Sequence, residues 1–154
     1  MKAVHILGIG SPSGDDRAGW LAVDALLASD VRARHDGIVI EKLDRPGASL
    51  IPRLENASWV ILVDAMQGGG QPGRIRHFNQ QDWHGYGHGL SSHGIGVLDA
   101  LSLAHALGFL PPRLDLYGIE VGSVGPGETA GYEVLAAAQW LAAWIADSLE
   151  EAAA

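Results

Sequence analysis

Apolar positions fall along this chain in two rhythms, and the changes between them mark its elements. Short runs that are apolar on both faces read as buried strands, whereas apolar positions three and four apart read as amphipathic helices. Val4–Gly8 is a run of the first kind. Ala18–Ala28 is of the second, with Trp20, Leu21, Val23 and Leu27 forming the expected buried stripe. The turn signal Asp36-Gly37 opens a second strand at 38–43. Asp44-Arg45-Pro46-Gly47 is a loop, and 48–54 a short helix whose Pro52 sits in its first turn or ends it. The strongest strand is 59–64, apolar on both faces and therefore central. The glycine-rich stretch 66–73 breaks regular structure, and 74–78 alternates basic and apolar residues, as an edge strand does. A polar loop rich in glycine and histidine fills 79–94, long enough to suggest function. Ile95–Leu107 is helical, with Val97, Leu98, Leu101 and Leu107 in register, 114–121 is the last strand, and 122–131 is a loop. The alanine-rich stretch 132–149 is an amphipathic helix, with the Glu-Glu-Ala-Ala-Ala tail expected to fray.

Strands alternating with helices, with no internal repeat, predict a three-layer α/β/α sandwich around a mostly parallel, twisted sheet of about five strands. The 154 residues make one domain, 1–154. If the first strand neighbours both the second and the third, the topological switch point lies between strands one and three. Ligands bind at such points, outside the carboxyl ends of the strands. Asp16 and Asp64 would then face one crevice.

Composition narrows the function. With 47% hydrophobic residues the chain is globular, and with 18 acidic against 10 basic residues and no basic cluster it is not suited to nucleic acid or to an anionic membrane. The absence of cysteine removes disulfides, thiolate catalysis and cysteine zinc sites together. The first strand begins almost at the first residue and no apolar run reaches spanning length, so the expectation is a soluble, cytoplasmic domain.

The chemistry-bearing residues gather after strands. Gly8, Gly10 and Gly14 follow the first strand, but Asp15-Asp16 occupy the place a phosphate would need, and no P-loop lysine follows. An aspartate there can cap the next helix, which accounts for one of the pair and leaves the other spare. Asp64 ends the central strand, where an aspartate often bonds the following turn. His93 stands just before a helix, in Ser91-Ser92-His93-Gly94. Asp16, Asp64 and His93 all fall at carboxyl-end loops, and two carboxylates with one imidazole suit a divalent ion of the nickel, zinc or manganese type. Three protein ligands leave coordination positions open. No G-x-S-x-G elbow supports a serine nucleophile, and H-E-x-x-H is absent. His84 and His88 lie four apart in a glycine-rich loop, where that spacing fixes no common face. Glu120 ends the last strand, where an acid is most often structural and could also support a site from behind, and His5 reads as a satisfied core histidine.

Four segments resemble the hydrogenase maturation proteases, endopeptidases that trim the C-terminus of the NiFe-hydrogenase large subunit. They are L-G-I-G-S-P-S-G-D-D-R-A-G, V-I-L-V-D-A-M with the following G-Q-P-G-R, S-S-H-G-I-G-V-L-D-A-L-S-L-A, and L-Y-G-I-E-V. The family's three metal-contacting residues match Asp16, Asp64 and His93. The chain departs from the family pattern at Ser11, usually asparagine, and at Asp16, often glutamate. It departs also at Thr129-Ala130-Gly131 and in the long loop at 84–94. The resemblance implies a monomeric protease without a permanent metal or organic cofactor, acting on a large-subunit precursor. Nickel already inserted in that precursor would be recognised through the three residues, and zinc or cadmium could occupy the same site. Two other readings remain at this point: a non-enzymatic factor of the same fold that senses metal, and a nucleotide-binding protein using Gly8, Gly10 and Gly14.

Overall fold

The computed structural model describes residues 3–12, 17–87, 95–122 and 131–153. In chain order the elements are β1 (Val4–Gly10), α1 (Ala18–Ala28), α2 (Val31–Arg34), β2 (Ile38–Asp44) and a 3-10 turn (Gly47–Leu50). They continue with α3 (Ile51–Glu55), β3 (Trp59–Met66), β4 (Ile75–Asn79), a second 3-10 turn (Trp83–Gly87), α4 (Ile95–Leu107), β5 (Arg113–Glu120) and α5 (Tyr132–Ala153). The strands form a sheet of order β2-β1-β3-β5-β4, parallel except for β4, which runs antiparallel to β5 at one edge. This is the three-layer α/β arrangement expected from the pattern. Among the described residues no helix is long and apolar enough to cross a membrane.

Strand alternation sends side chains to two separate cores. On one face Ile6, Ile61, Val63, Tyr117 and Ile119 pack under α1 and α5. On the other, Leu7, Val60, Leu62, Leu114 and Leu116 meet Leu50 and Leu54, at the Gly47–Leu50 turn and α3, and Val97 and Leu101 of α4. β3 is buried along its whole length, as a central strand covered on both sides must be.

Helix α1 has the expected bounds but a different buried stripe. Ala18, Gly19, Ala22, Val23 and Leu26 face the sheet, while Trp20, Leu21 and Leu27 lie at the margins. The reason is close approach. A Cβ on Gly8 would meet Gly19 O and Val23 Cγ2 at 2.5 Å, so only small residues fit where α1 crosses β1. Trp20, displaced to the rim, donates its Nε1–H to Leu43 O at 3.1 Å. Leu107, counted into the α4 stripe from its spacing, is exposed, and Leu98 is half-buried. At the other end of the chain, α5 continues through the tail expected to fray. Leu149 is buried there and Glu150 pairs with Arg34 at 2.7 Å and with His35 at 3.2 Å, tying down the last turns.

A buried polar network closes the amino end of β5. Asp115 accepts hydrogen bonds from Trp59 Nε1 at 2.7 Å and pairs with His77 Nε2 at 2.6 Å, with Arg113 Nε at 3.4 Å. His77 stacks on Tyr117, and the Arg113 guanidinium lies 3.7 Å from the Trp59 ring centroid. Burial alone would raise the Asp115 carboxyl, but the hydrogen bonds from His77 and Trp59 and the charges of His77 and Arg113 outweigh it. Its pKa is held below the ordinary 3.8. The folded state therefore favours the ionised form. The stability this contributes is complete above the unfolded value and is lost as pH falls through the folded one. Urea titrations of the native protein and Asp115→Asn should differ at pH 7, and that difference should close as pH falls below about 4.

Candidate functional site at the sheet split

The switch point expected between β1 and β3 is present, and the register shows how it opens. β1 and β3 pair from Val4↔Trp59 to Gly8↔Val63, and there their ladder ends. Beyond it β1 continues with β2 (Ile9↔Leu43, Gly10↔Asp44), whereas β3 continues with β5 (Asp64↔Gly118 to Met66↔Glu120). The two central strands part at their carboxyl ends, leaving a crevice between them. Asp64 is the first residue of β3 past the split.

Its side chain lies on the α4 face, following Leu62 in the alternation, and is 4% exposed. The Ala65 N–H donates to Asp64 Oδ1 at 2.8 Å, which fixes the carboxylate against its own strand. A carboxylate this buried needs such donors, since desolvation disfavours its charged form. Asp16 lies outside the described residues, in the stretch between Pro12 and Arg17 that follows β1. His93 also lies outside them, two positions before α4 begins at Ile95. α4 packs on the Gly47–Leu50 turn that follows the carboxyl end of β2. Of the three candidates, then, Asp64 is placed at the crevice, and the other two belong to segments adjoining described elements. Among the described residues no three His, Asp or Glu side chains form a metal cage.

The loop leaving β3 is built around Glu120, 2% exposed at the end of β5. Gly68 N–H donates to both of its carboxylate oxygens, at 2.9 and 3.1 Å, and Gly70 N–H donates at 3.1 Å. Gln67 Nε2 reaches Gly122 O at 3.2 Å. Glu120 thus holds the loop after Asp64, a structural role. Next, Gln71-Pro72-Gly73-Arg74 forms a tight turn, with Arg74 N–H donating to Gln71 O at 3.1 Å and Gly73 at φ +91°. Gly73 N–H bonds Glu120 O and Glu120 N–H bonds Arg74 O, both at 2.8 Å. This two-against-one pairing, with a left-handed glycine first, is a β-bulge. The chain then runs back as β4, and with no crossover helix between β3 and β4 this strand lies antiparallel to β5.

Gly8 and Gly10, expected in a loop after the first strand, lie within β1, and Gly8 together with Gly19 of α1 lets the strand and the helix touch. Gly14 lies outside the described residues. His5, expected to be satisfied in the core, is instead half-buried, with its Nδ1 unpartnered among the described residues. At 79–94, Trp83 is buried and stacks on the exposed His84 at 3.8 Å, and His84 stands edge-on to His105 at 6.0 Å. His88 lies outside the described residues. The polar network on Asp115 was not recognised from sequence, where a lone aspartate between leucines in 114–116 was the only signal.

A doubly wound sheet that parts at its switch point, with a buried carboxylate on the first residue beyond, defines an α/β protein with a candidate site at the carboxyl ends of β1 and β3. The sequence model of the hydrogenase maturation protease family (HycI) matches residues 46–144, and the chain belongs to that family. The matched span contains Asp64 and His93 and begins after Asp16. Solved structures similar to the chain include hydrogenase maturating endopeptidase HybD from E. coli, at 22% identity and TM-score 0.80, over 97% of this chain and 93% of that one. HybD from Thermococcus kodakarensis is 23% identical, with TM-score 0.72 over 96% and 98%. A hydrogenase 2 maturation peptidase from a Thaumarchaeota archaeon is 24% identical, with TM-score 0.70 over 97% and 99%. At such identities these likenesses establish the shared fold. No curated protein sequence matches the chain.

Proposed function

We propose that this protein is the endopeptidase that removes the C-terminal extension of a NiFe-hydrogenase large-subunit precursor once nickel is in place. In this reading it acts in the cytoplasm as a monomer and holds no permanent metal. The position of Asp64 carries the proposal: a buried, backbone-anchored carboxylate at the mouth of the sheet split, in a chain of the maturation protease family. Asp16 and His93 would complete the donor set from the adjoining segments. Carboxylate oxygens and one imidazole suit nickel, and zinc or cadmium could take its place. Such a set holds a free ion only modestly, so an ion presented by the precursor's own ligands becomes the recognition element. Its Lewis acidity would polarise the scissile carbonyl. The protein's part is then to orient the precursor's metal against Asp64, whose oxygen is fixed by the Ala65 N–H.

The test is the intact mass of the large subunit in cells with and without this protein. The subunit should keep its extension in the deletion strain, and again when Asp16→Ala is expressed in place of the native chain. If Asp16→Ala still binds precursor but does not shorten it, the enzyme reading stands. If purified native protein binds nickel-loaded precursor and never cleaves it, the chain is a metal-sensing factor instead.

A further inference from the structure

Helix α5 turns two large aromatic side chains to solvent. Trp140 is 55% exposed and Trp144 46%, and their rings stack at 5.5 Å. They belong to a line along the helix, because Glu133, Ala136, Trp140, Trp144, Asp147 and Glu151 recur three and four apart. All six are exposed. The connection into β4 explains why this side of α5 is uncovered. Helices α1 and α5 pack on this face of the sheet, but β3 reaches β4 through a loop and not through a crossover helix. Among the described residues no third helix lies beside α5 over β4. What remains there is a groove of about 540 Å³, with Pro72, Gly73 and Ile75 on one side and Ala136, Ala137 and Trp140 on the other. Isolated apolar residues on a surface are ordinary, whereas stacked indoles beside an apolar groove mark a contact surface.

Charge selects what can lie in it. The indoles are bracketed by Glu133 at one end and by Asp147 and Glu151 at the other, and none of these carboxylates has an ion-pair partner among the described residues. The arginines of the β4 segment stand away from the groove: Arg74 lies against Gly70 on the Glu120 loop, and Arg76 over the Phe78 ring. A second copy of this chain, laid antiparallel along the stripe, would bring Glu133 toward Asp147 and Glu151. Laid parallel, it would set like on like. An anionic lipid surface meets the same repulsion. A helix with an apolar face and with lysine or arginine toward both of its ends complements the groove in shape and in charge.

We propose that this groove docks the hydrogenase large-subunit precursor through such a basic-flanked amphipathic helix. The inference rests on the protease reading above, which supplies the partner. Position supports it. A Cβ on Gly73 would meet Glu133 O at 2.8 Å, so the groove begins where the loop after Asp64 returns as β4. Groove and crevice therefore open toward the same end of the sheet, and one folded partner anchored in the first is held beside the second.

The test measures binding of nickel-loaded precursor to native protein, Trp140→Ala and the double variant Glu133→Lys/Asp147→Lys, with cleavage followed on the same samples. Trp140→Ala should weaken binding roughly 30-fold or more. It should raise KM with kcat little changed, and melt as the native protein does. The double variant should bind more slowly and lose the native salt dependence. Among single Lys or Arg to Glu changes on the precursor, one should bind the double variant better than it binds native protein, an exchange that a role in folding or solubility does not produce. Unchanged affinity in both variants overturns the docking site alone. Native protein that binds in a Trp140-dependent way and never cleaves upholds the docking site and overturns the protease reading. A native dimer that Trp140→Ala dissociates, with precursor affinity unaffected, assigns the face to a second copy and overturns the proposal. Native protein that binds no precursor overturns both.

Discussion

Exchange of Asp64 for asparagine is expected to stop precursor cleavage while leaving the fold in place. Asparagine has the same shape, and its Oδ1 can still accept the Ala65 N–H that anchors the native carboxylate. What it lacks is the negative charge and the second acceptor oxygen. Groups that merely orient a metal ligand cost about 10- to 100-fold in activity when removed, so, with Asp64 in its proposed role as a ligand, the loss should exceed about 100-fold. Thermal unfolding should move little, since removing a charge that is 4% exposed also removes its desolvation penalty. The informative pair of measurements is precursor mass and melting temperature on the same preparation. An inactive protein with a native melt assigns Asp64 to the chemistry, and an active one removes it from the site.

That Asp64 could be singled out from sequence follows from where it stands. A run apolar on both faces must be a central strand, and a carboxylate at its carboxyl end falls where α/β sheets bind their ligands. The helix bounds of α1 and α4 were legible for a similar reason, since glycine, proline and polar clusters punctuate the chain on either side of them. Other features depend on distances between elements that are remote in sequence. The stripe that α1 buries follows from how near the helix comes to the sheet, and the large residues Trp20, Leu21 and Leu27 gave no warning that small ones would face inward. Parting of β1 from β3 just past Gly8 and Val63 is a matter of register, which periodicity does not specify. Glu120 looked like one more strand-end acid until the loop it holds came into view.

Gly19→Ala should be among the most damaging single-methyl additions this fold can receive. A Cβ at Gly19 would sit 2.4 Å from Val63 O and 2.5 Å from Ile9 O, both backbone atoms of the sheet. Neither can turn aside as a side chain would, so α1 must lift away or the strands must shift. Overpacking of this kind costs about 1–3 kcal/mol and sometimes more, against a gain of about 1 kcal/mol from alanine's better helix propensity. With rigid atoms on two strands, the upper end applies, and a net loss of about 2 kcal/mol should lower Tm by roughly 4–8 °C. Gly96 in α4 supplies the contrast, because a Cβ there meets nothing within 4 Å. Gly96→Ala should therefore stabilise by about 0.5–1 kcal/mol. Opposite signs for the same chemical change would show that contact with the sheet, not helix propensity, governs Gly19. The contact also bears on the site, because Val63 and Ile9 flank the point where β1 and β3 part, and Val63 immediately precedes Asp64. Lifting α1 there should reduce cleavage even at temperatures where Gly19→Ala remains folded. Full activity below its melting transition would mean that the crevice is held by the sheet alone.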